Sequence, residues 1–560
     1  MPQLIQQYVS RQALQRPNHT AVVCKNERVP YGELDQLTNQ LAHRLRVCGC
    51  RGSDRVAVLI PSSANAIFAM LGVLKADCVY VPIDPDDSAD QIAAILNAAE
   101  PKVLIAARSK TALLNEVVAG HELPAGMQIG TLEAIALSDE YFETSFTGLD
   151  VLAAARTPLV YECKPTEPAV IRYRTRGVGQ DDSNNRDGVV ISHANVIYGI
   201  DWSLKYFQTN EHDRVAGDVP PRSDLVSLEV LGPLAAGAEL HLVPTAARSQ
   251  PQELAAFLRT REITQWISTP TSLNSLVQNN AVPDGDLPSL KHLIWTGEAL
   301  SNSTLNSTLN HLRQRLPLTQ FTQLYGVPET SIVSSYFTVP AGSLDDTAQL
   351  PIGRACEGVG LFVLDRNLQP VPLEEVGELY IGGVGLCSGY WRDRAQTAAA
   401  FVQHPILRQR LFKTGDLARI GFDGLVYLTG RATIQEEYED CLTDGQQRVD
   451  RETVDRLAKR TDFNASPLKK RETIMFDRAV LQSQIAHLIA DKLELDEPAV
   501  DTDLFDAGVL DSLSYVRLVV ELQQEFGVQI SLGEIDIDHF RTVEQIAEFL
   551  MQHDADLAMA

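Results

Sequence analysis

Val56-Ala-Val-Leu-Ile60 is a short apolar run, and what stands on either side of it decides the fold class. Upstream, Leu34, Leu37, Leu41 and Leu45 recur at helical spacing. Downstream, residues 64–74 have the pattern of a second helix, and Val79-Tyr-Val81 reads as a second strand stopped by Pro82. Side chains three and four apart share one helix face, so such a stripe packs against a neighbour. A continuously apolar strand is buried on both faces, which is the condition of a parallel sheet. Strands alternating with helices therefore predict an α/β protein of mostly parallel sheets.

Further strands are expected at residues 102–106, 239–243 and 293–295. Residues 360–364 and 378–381 lie in a Gly/Pro-rich region and predict a smaller β subdomain. Residues 435–470 are charged and polar with a weak apolar pattern, as in a linker or a helical remnant. Helical periodicity returns at 479–493, 513–526 and 543–550, enough for a small bundle. The expected division is a core domain at 1–431, a shortened subdomain or linker at 432–478, and a bundle at 479–560.

A chain of 560 residues exceeds one compact core. Its formal net charge of −25 argues against nucleic acid or an anionic membrane as partner, since both would be repelled. No apolar run is long enough to span a bilayer, and the first ten residues lack a basic segment followed by an apolar one. A cytoplasmic location is expected. The eight cysteines are scattered, with no CxxC pairs, so neither zinc nor a disulfide framework is indicated.

Leu504-Phe-Asp-Ala-Gly-Val-Leu-Asp-Ser-Leu513 leads into the second helix of the bundle, in which Leu513, Val516, Val520 and Phe526 can line one face. Asp511 is a candidate N-cap, which puts Ser512 in the first turn. Unpaired backbone N–H groups there can solvate a phosphodiester. The segment resembles the FxxxGxDSL signature of acyl and peptidyl carrier proteins, with Phe505, Gly508, Asp511, Ser512 and Leu513 at matching places. The resemblance implies a 4′-phosphopantetheine arm on Ser512, added by a phosphopantetheinyl transferase from coenzyme A and holding acyl or aminoacyl groups as thioesters. Asp501, Asp503, Asp506 and Asp511 would face a basic transferase surface.

Residues 1–431 resemble the adenylation domains of nonribosomal peptide synthetases. Leu71-Gly-Val-Leu-Lys-Ala76 with Tyr80-Val-Pro-Ile-Asp-Pro85 matches an early packing motif. Tyr325-Gly-Val-Pro-Glu329 resembles YGPTE, which implies Tyr325 beside adenine and Glu329 as a Mg²⁺ ligand; Pro328 replaces the threonine. Gly377-Glu-Leu-Tyr-Ile-Gly-Gly-Val-Gly385 with Ser388-Gly-Tyr-Trp391 matches the glycine motif GELxIxGxGxxxGY. Lys413-Thr-Gly-Asp-Leu417 matches KTGDL, implying that Asp416 grips the ribose hydroxyls, with Arg431 of Gly430-Arg431 approaching the same sugar. Ser223-Asp-Leu-Val-Ser-Leu-Glu229 aligns with FDxSVWE and makes Asp224 a candidate anchor for a substrate amine, although Ser223 and Leu228 replace aromatic neighbours. The implied fold is that of an adenylate-forming ligase: a large domain of parallel sheets with helices, a small β subdomain, a truncated C-terminal subdomain, and a helical-bundle carrier domain.

The pattern breaks twice. Where the family has a phosphate loop YTSGTTGxPKG, the chain reads Tyr173-Arg-Thr-Arg-Gly-Val-Gly-Gln-Asp-Asp-Ser-Asn-Asn-Arg-Asp-Gly188. Hydroxyl and lysine groups that would cradle phosphates are exchanged for arginines and carboxylates, and Asp181, Asp182 and Asp187 would repel a triphosphate. Arg174, Arg176 and Arg186 are candidate replacements for the lysine. The interval 432–478 is also shorter than the family's C-terminal subdomain. Thr433 replaces the hinge acid, and Lys469 and Lys470 lack the motif around the family's catalytic lysine. Three readings follow: a carrier joined to a silent adenylation-like scaffold and loaded in trans by a separate ligase; a working ligase that uses ATP and Mg²⁺ to load Ser512 in cis; or a module that senses nucleotide through Tyr325 and Asp416 without turnover. No condensation, reductase or thioesterase signature is seen, so cargo is expected to pass to downstream biosynthetic enzymes.

Overall fold

The computed structural model describes residues 2–137, 142–173, 188–217, 227–431, 478–493, 498–504, 518, 522 and 540–557, apart from 284, 298, 299, 332, 341, 343, 346 and 347. The chain divides into two compact units, Met1–Glu439 and Asp440–Ala560.

The expected alternation of helix and strand is present, with bounds shifted by a few residues. The leucine stripe belongs to the helix Tyr31–Val47, the apolar run to the strand Arg55–Leu59, and the next two elements are the helix Ala64–Lys75 and the strand Val79–Pro82. Pro82 is the last residue of its strand rather than the stop before it. Ser63 caps the second helix by accepting from the Ala66 amide at 3.3 Å. The two helices approach closely because residue 72 is glycine: a Cβ there would lie 2.5 Å from Leu41. At their junction Lys75 is fully buried, with Nζ 2.6 Å from Asp35 Oδ1 and 2.8 Å from Asn39 Oδ1.

Among the described residues the first unit contains three sheets. The eight-stranded sheet runs in the order Gly389–Tyr390, Gly188–Ser192, Pro168–Tyr173, Val79–Pro82, Arg55–Leu59, Val103–Ala106, Gln128–Gly130, Thr144–Phe146. Its first two pairings are antiparallel and the rest parallel. The nine-stranded sheet runs Arg354–Ala355, Ser335–Thr338, Gln320–Tyr325, His292–Trp295, Gln265–Ser268, Arg214–Gly217, Glu239–Leu242, Thr20–Cys24, Glu27–Pro30. Its six central strands, Gln320–Tyr325 to Thr20–Cys24, are parallel. Trp266 and Trp295 on neighbouring strands are fully buried. The expected β subdomain is an antiparallel sheet in which Val359–Leu364, Gly377–Gly383, Arg410–Ile420 and Phe401–Gln403 follow one another, with Val426–Arg431 also paired to Arg410–Ile420.

In the second unit the helix Arg478–Leu493 buries Leu481, Ile485 and Ile489 at intervals of four. The helix Val543–Leu557 buries Val543, Ile546, Ala547 and Leu550 in the same cluster. Leu504 lies there too, its amide bonded to the Arg541 carbonyl at 2.7 Å. Leu518 and Leu522, four apart, are buried in that cluster, whereas Leu513, Val516, Val520 and Phe526 lie outside the described residues.

Candidate functional site

The parallel strand Gln320–Tyr325 delivers Tyr325 to its C-terminal end, the end at which open α/β sheets place ligands. The chain then tightens into the 3₁₀ turn Pro328–Thr330, where Pro328 pre-sets the first backbone angle and Ser331 closes the turn at φ 59°. The turn tucks Glu329 fully out of solvent.

Asp416 comes from the other side, on the long strand Arg410–Ile420. Gly415 has φ 73°, a left-handed conformation that favours glycine, and it bends the strand just before the aspartate. The bend is fastened at three points. Thr414 Oγ1 donates to the Leu379 carbonyl at 2.6 Å, the Asp416 amide donates to Thr414 Oγ1 at 3.0 Å, and the Gly415 amide donates to Glu378 Oε1 at 3.2 Å. Lys413 pairs with the same Glu378 at 3.4 Å.

These two elements bring together three of the expected residues. Tyr325 Oη donates to Asp416 Oδ2 at 2.5 Å, and Arg431 Nη1 lies 3.2 Å from Asp416 Oδ1. Arg431 sits directly opposite Asp416 in the strand ladder, so the pair follows from register. Burial first, and the Asp416 carboxylate second, push the Tyr325 phenol well above its ordinary range; it is a protonated donor throughout neutral pH. The cluster is a carboxylate with a neutral donor on one oxygen and a cation on the other, an arrangement able to exchange those donors for a vicinal diol.

Glu329 does not join this cluster. Its Oε1 accepts a 2.7 Å hydrogen bond from Tyr390 Oη, and its carbonyl accepts from the Cys387 amide at 2.8 Å. The Tyr390 contact escaped the sequence reading, which used the Ser388-Gly-Tyr-Trp391 segment for its glycine. Tyr390 is also tied to the altered loop's exit, because Gly389 and Tyr390 pair with Val190 and Val189. The loop itself, Asp224, Ser512, Thr433, Lys469 and Lys470 lie outside the described residues. Beyond the Asp224 segment, the five-residue turn Ser227–Leu231 carries buried Leu228 and Glu229.

Residues 9–391 match the AMP-binding enzyme family. The chain belongs to that family. A phosphopantetheine attachment site domain matches residues 483–550, so this AMP-binding protein also has a carrier domain, whose prosthetic group is covalent 4′-phosphopantetheine. It is 30% identical over 429 residues to the dimodular nonribosomal peptide synthase of Bacillus subtilis (strain 168), a match covering 76% of this chain and 17% of that protein. It is likewise 30% identical over 426 residues to the phosphinothricin tripeptide synthetase PhsC of Streptomyces viridochromogenes, covering 76% of this chain and 35% of that one. The crystal structure of the nonribosomal peptide synthetase FmoA3 in its alpha-methyl-L-serine-AMP bound form superposes with a TM-score of 0.67 at 26% identity, over 77% of this chain and 45% of FmoA3. The chain thus spans less than half the length of each of these three.

In this AMP-binding protein the polar groups around Tyr325, a phenol, a carboxylate and a guanidinium, are of the kinds that hydrogen-bond sugar hydroxyls. Mg²⁺ takes oxygen ligands in near-octahedral geometry. Glu329 is engaged by Tyr390, and among the described residues no three His, Cys, Asp or Glu side chains are grouped to hold a metal ion. No helix among the described residues is long and apolar enough to cross a membrane.

Proposed function

We propose that the chain is a carrier protein of secondary-metabolite biosynthesis whose adenylation-like domain serves as a scaffold. Ser512 bears the phosphopantetheine arm, a separate ligase loads an acyl or aminoacyl group onto it in trans, and downstream biosynthetic enzymes take the thioester. The observation that carries this reading is the pairing at the mouth of the altered phosphate loop. Tyr173 faces Gly188 and Arg172 faces Val189 in the antiparallel ladder. With both ends pinned in register, the exchange of hydroxyl and lysine groups for Arg174, Arg176, Asp181, Asp182, Arg186 and Asp187 belongs to the loop itself. A cradle with added carboxylates opposes the triphosphate on which adenylation depends.

The test is the intact mass of the full chain after incubation with a broad-specificity phosphopantetheinyl transferase, coenzyme A, ATP, Mg²⁺ and mixed amino acids. The expected result is one pantetheine increment, absent in Ser512→Ala. A second, ATP-dependent increment would overturn the scaffold reading and establish loading in cis. A second reading, nucleotide binding without turnover, draws on the Tyr325–Asp416–Arg431 cluster. It predicts saturable AMP binding in calorimetry that Asp416→Ala abolishes; no heat of binding removes it.

A further inference from the structure

A cavity of about 390 Å³ opens beside the strand Gly389–Tyr390, lined by three arginines, Arg392, Arg394 and Arg410. In a chain of net charge −25, three guanidiniums around one hollow run against the background. Their partners differ. Arg392 is paired with Glu100 at 2.8 Å. Arg410 is held rigidly by neutral groups: Nη1 donates to the Cys387 carbonyl at 2.8 Å, Nη2 to the Ser388 carbonyl at 3.0 Å, and its guanidinium carbon lies 4.0 Å from the Phe401 ring centroid. Among the described residues no carboxylate pairs with Arg410 or Arg394. Among the described residues the acid on the wall is Asp393, which accepts from the Gln396 amide at 2.8 Å and so caps the helix Arg394–Ala400.

Burial shifts the Arg410 guanidinium below its ordinary value, the opposite of what a carboxylate neighbour does. A half-buried cation held only by carbonyls and a ring keeps a desolvation cost that an anion would relieve. A planar fork already fixed in place also loses little entropy on binding. We infer that this cavity is a binding site for a phosphate group, held between Arg394 and the immobilised Arg410. A phosphate offers three acceptor oxygens in a tetrahedral array, enough to meet more than one guanidinium. The cavity is separate from the Tyr325–Asp416–Arg431 cluster, with which it shares no residue.

Calorimetry on the full chain tests this, in the Ser512→Ala background so that no arm is attached, and at physiological salt, where weak exposed attraction is screened. One arm uses inorganic phosphate and the other free 4′-phosphopantetheine. Saturable binding is expected, weakened about tenfold or more by Arg394→Glu and by Ala398→Glu, which puts a carboxylate on the cavity wall, and unchanged by Asp416→Ala. Tighter binding of the ester assigns the site to an organic phosphate, and equal binding to the inorganic anion. The inference is overturned by the absence of saturable heat in both arms, by unchanged binding in both cavity variants, or by loss in Asp416→Ala. None of these results depends on whether Ser512 is modified.

Discussion

Tyr325 shows how much one phenol contributes when its acceptor is ionised. Its bond to Asp416 joins residues 91 positions apart, at the meeting of a parallel and an antiparallel sheet. Hydrogen bonds to charged groups exceed neutral ones, so Tyr325→Phe is expected to destabilise the first unit by about 2 kcal/mol in chemical denaturation. A change below about 0.5 kcal/mol would mean that water or Arg431 satisfies Asp416 equally well. The identities of Tyr325, Asp416 and Arg431 were legible because each stands in a short motif. Their mutual bonding was not, because nothing in a motif states which other motif it faces. Tyr390 makes the same point from the other direction, since its partner Glu329 was read as a metal ligand.

At the scale of elements, the buried Lys75 ties the helices Tyr31–Val47 and Ala64–Lys75. Burial lowers its proton affinity while Asp35 opposes the shift. Truncating one member of a buried pair leaves the other uncompensated. Lys75→Ala is expected to cost about 4 kcal/mol by urea titration, and Lys75→Met combined with Asp35→Asn about half that or less. Equal losses in the two would show that packing, not charge, dominates this contact. The leucine stripe at 34, 37, 41 and 45 was readable from period alone, but the burial of a lysine at the end of the second helix was not. A lysine after an apolar run reads as a C-terminal basic residue facing water, and only the neighbouring helix supplies Asp35 and Asn39.

At the scale of the whole first unit, His193 couples stability to pH. It begins the helix His193–Phe207, accepts from the Ile5 amide at 3.4 Å and lies 3.9 Å from Cys163 Sγ. Burial lowers its pKa from 6.5 to about 4, against a smaller opposing pull from Asp77. Between those values the unfolded chain binds a proton that the folded one refuses, so stability falls as pH falls through that window and is fully present above it. The expected loss is about 3 kcal/mol between pH 6.5 and 4. His193→Gln should flatten that part of the profile in thermal melts at a series of pH values. An unchanged slope between pH 6.5 and 4 would show that His193 is not the group responsible.

The sequence by itself determined the α/β class, the helix–strand alternation around Val56, several further strands of the first unit including two of the β subdomain, and the carrier region, because those depend on period, composition and motif over a few residues. Leu481, Ile485 and Ile489 could be placed on one face without knowing what covers them. Tertiary structure alone decided the order of strands. Gly389–Tyr390 leaves its neighbours in the chain to pair with Gly188–Ser192 in another sheet, and that crossing sets Tyr390 on Glu329. A two-residue strand has no periodicity to read, and its partner is set by which sheet edge remains open after the longer strands have paired. The arginine-lined cavity arises the same way. Arg394 and Arg410 are 16 positions apart and unremarkable as a pattern, and only the fold of the helix Arg394–Ala400 and the strand Phe401–Gln403 between them sets both on the wall of one hollow.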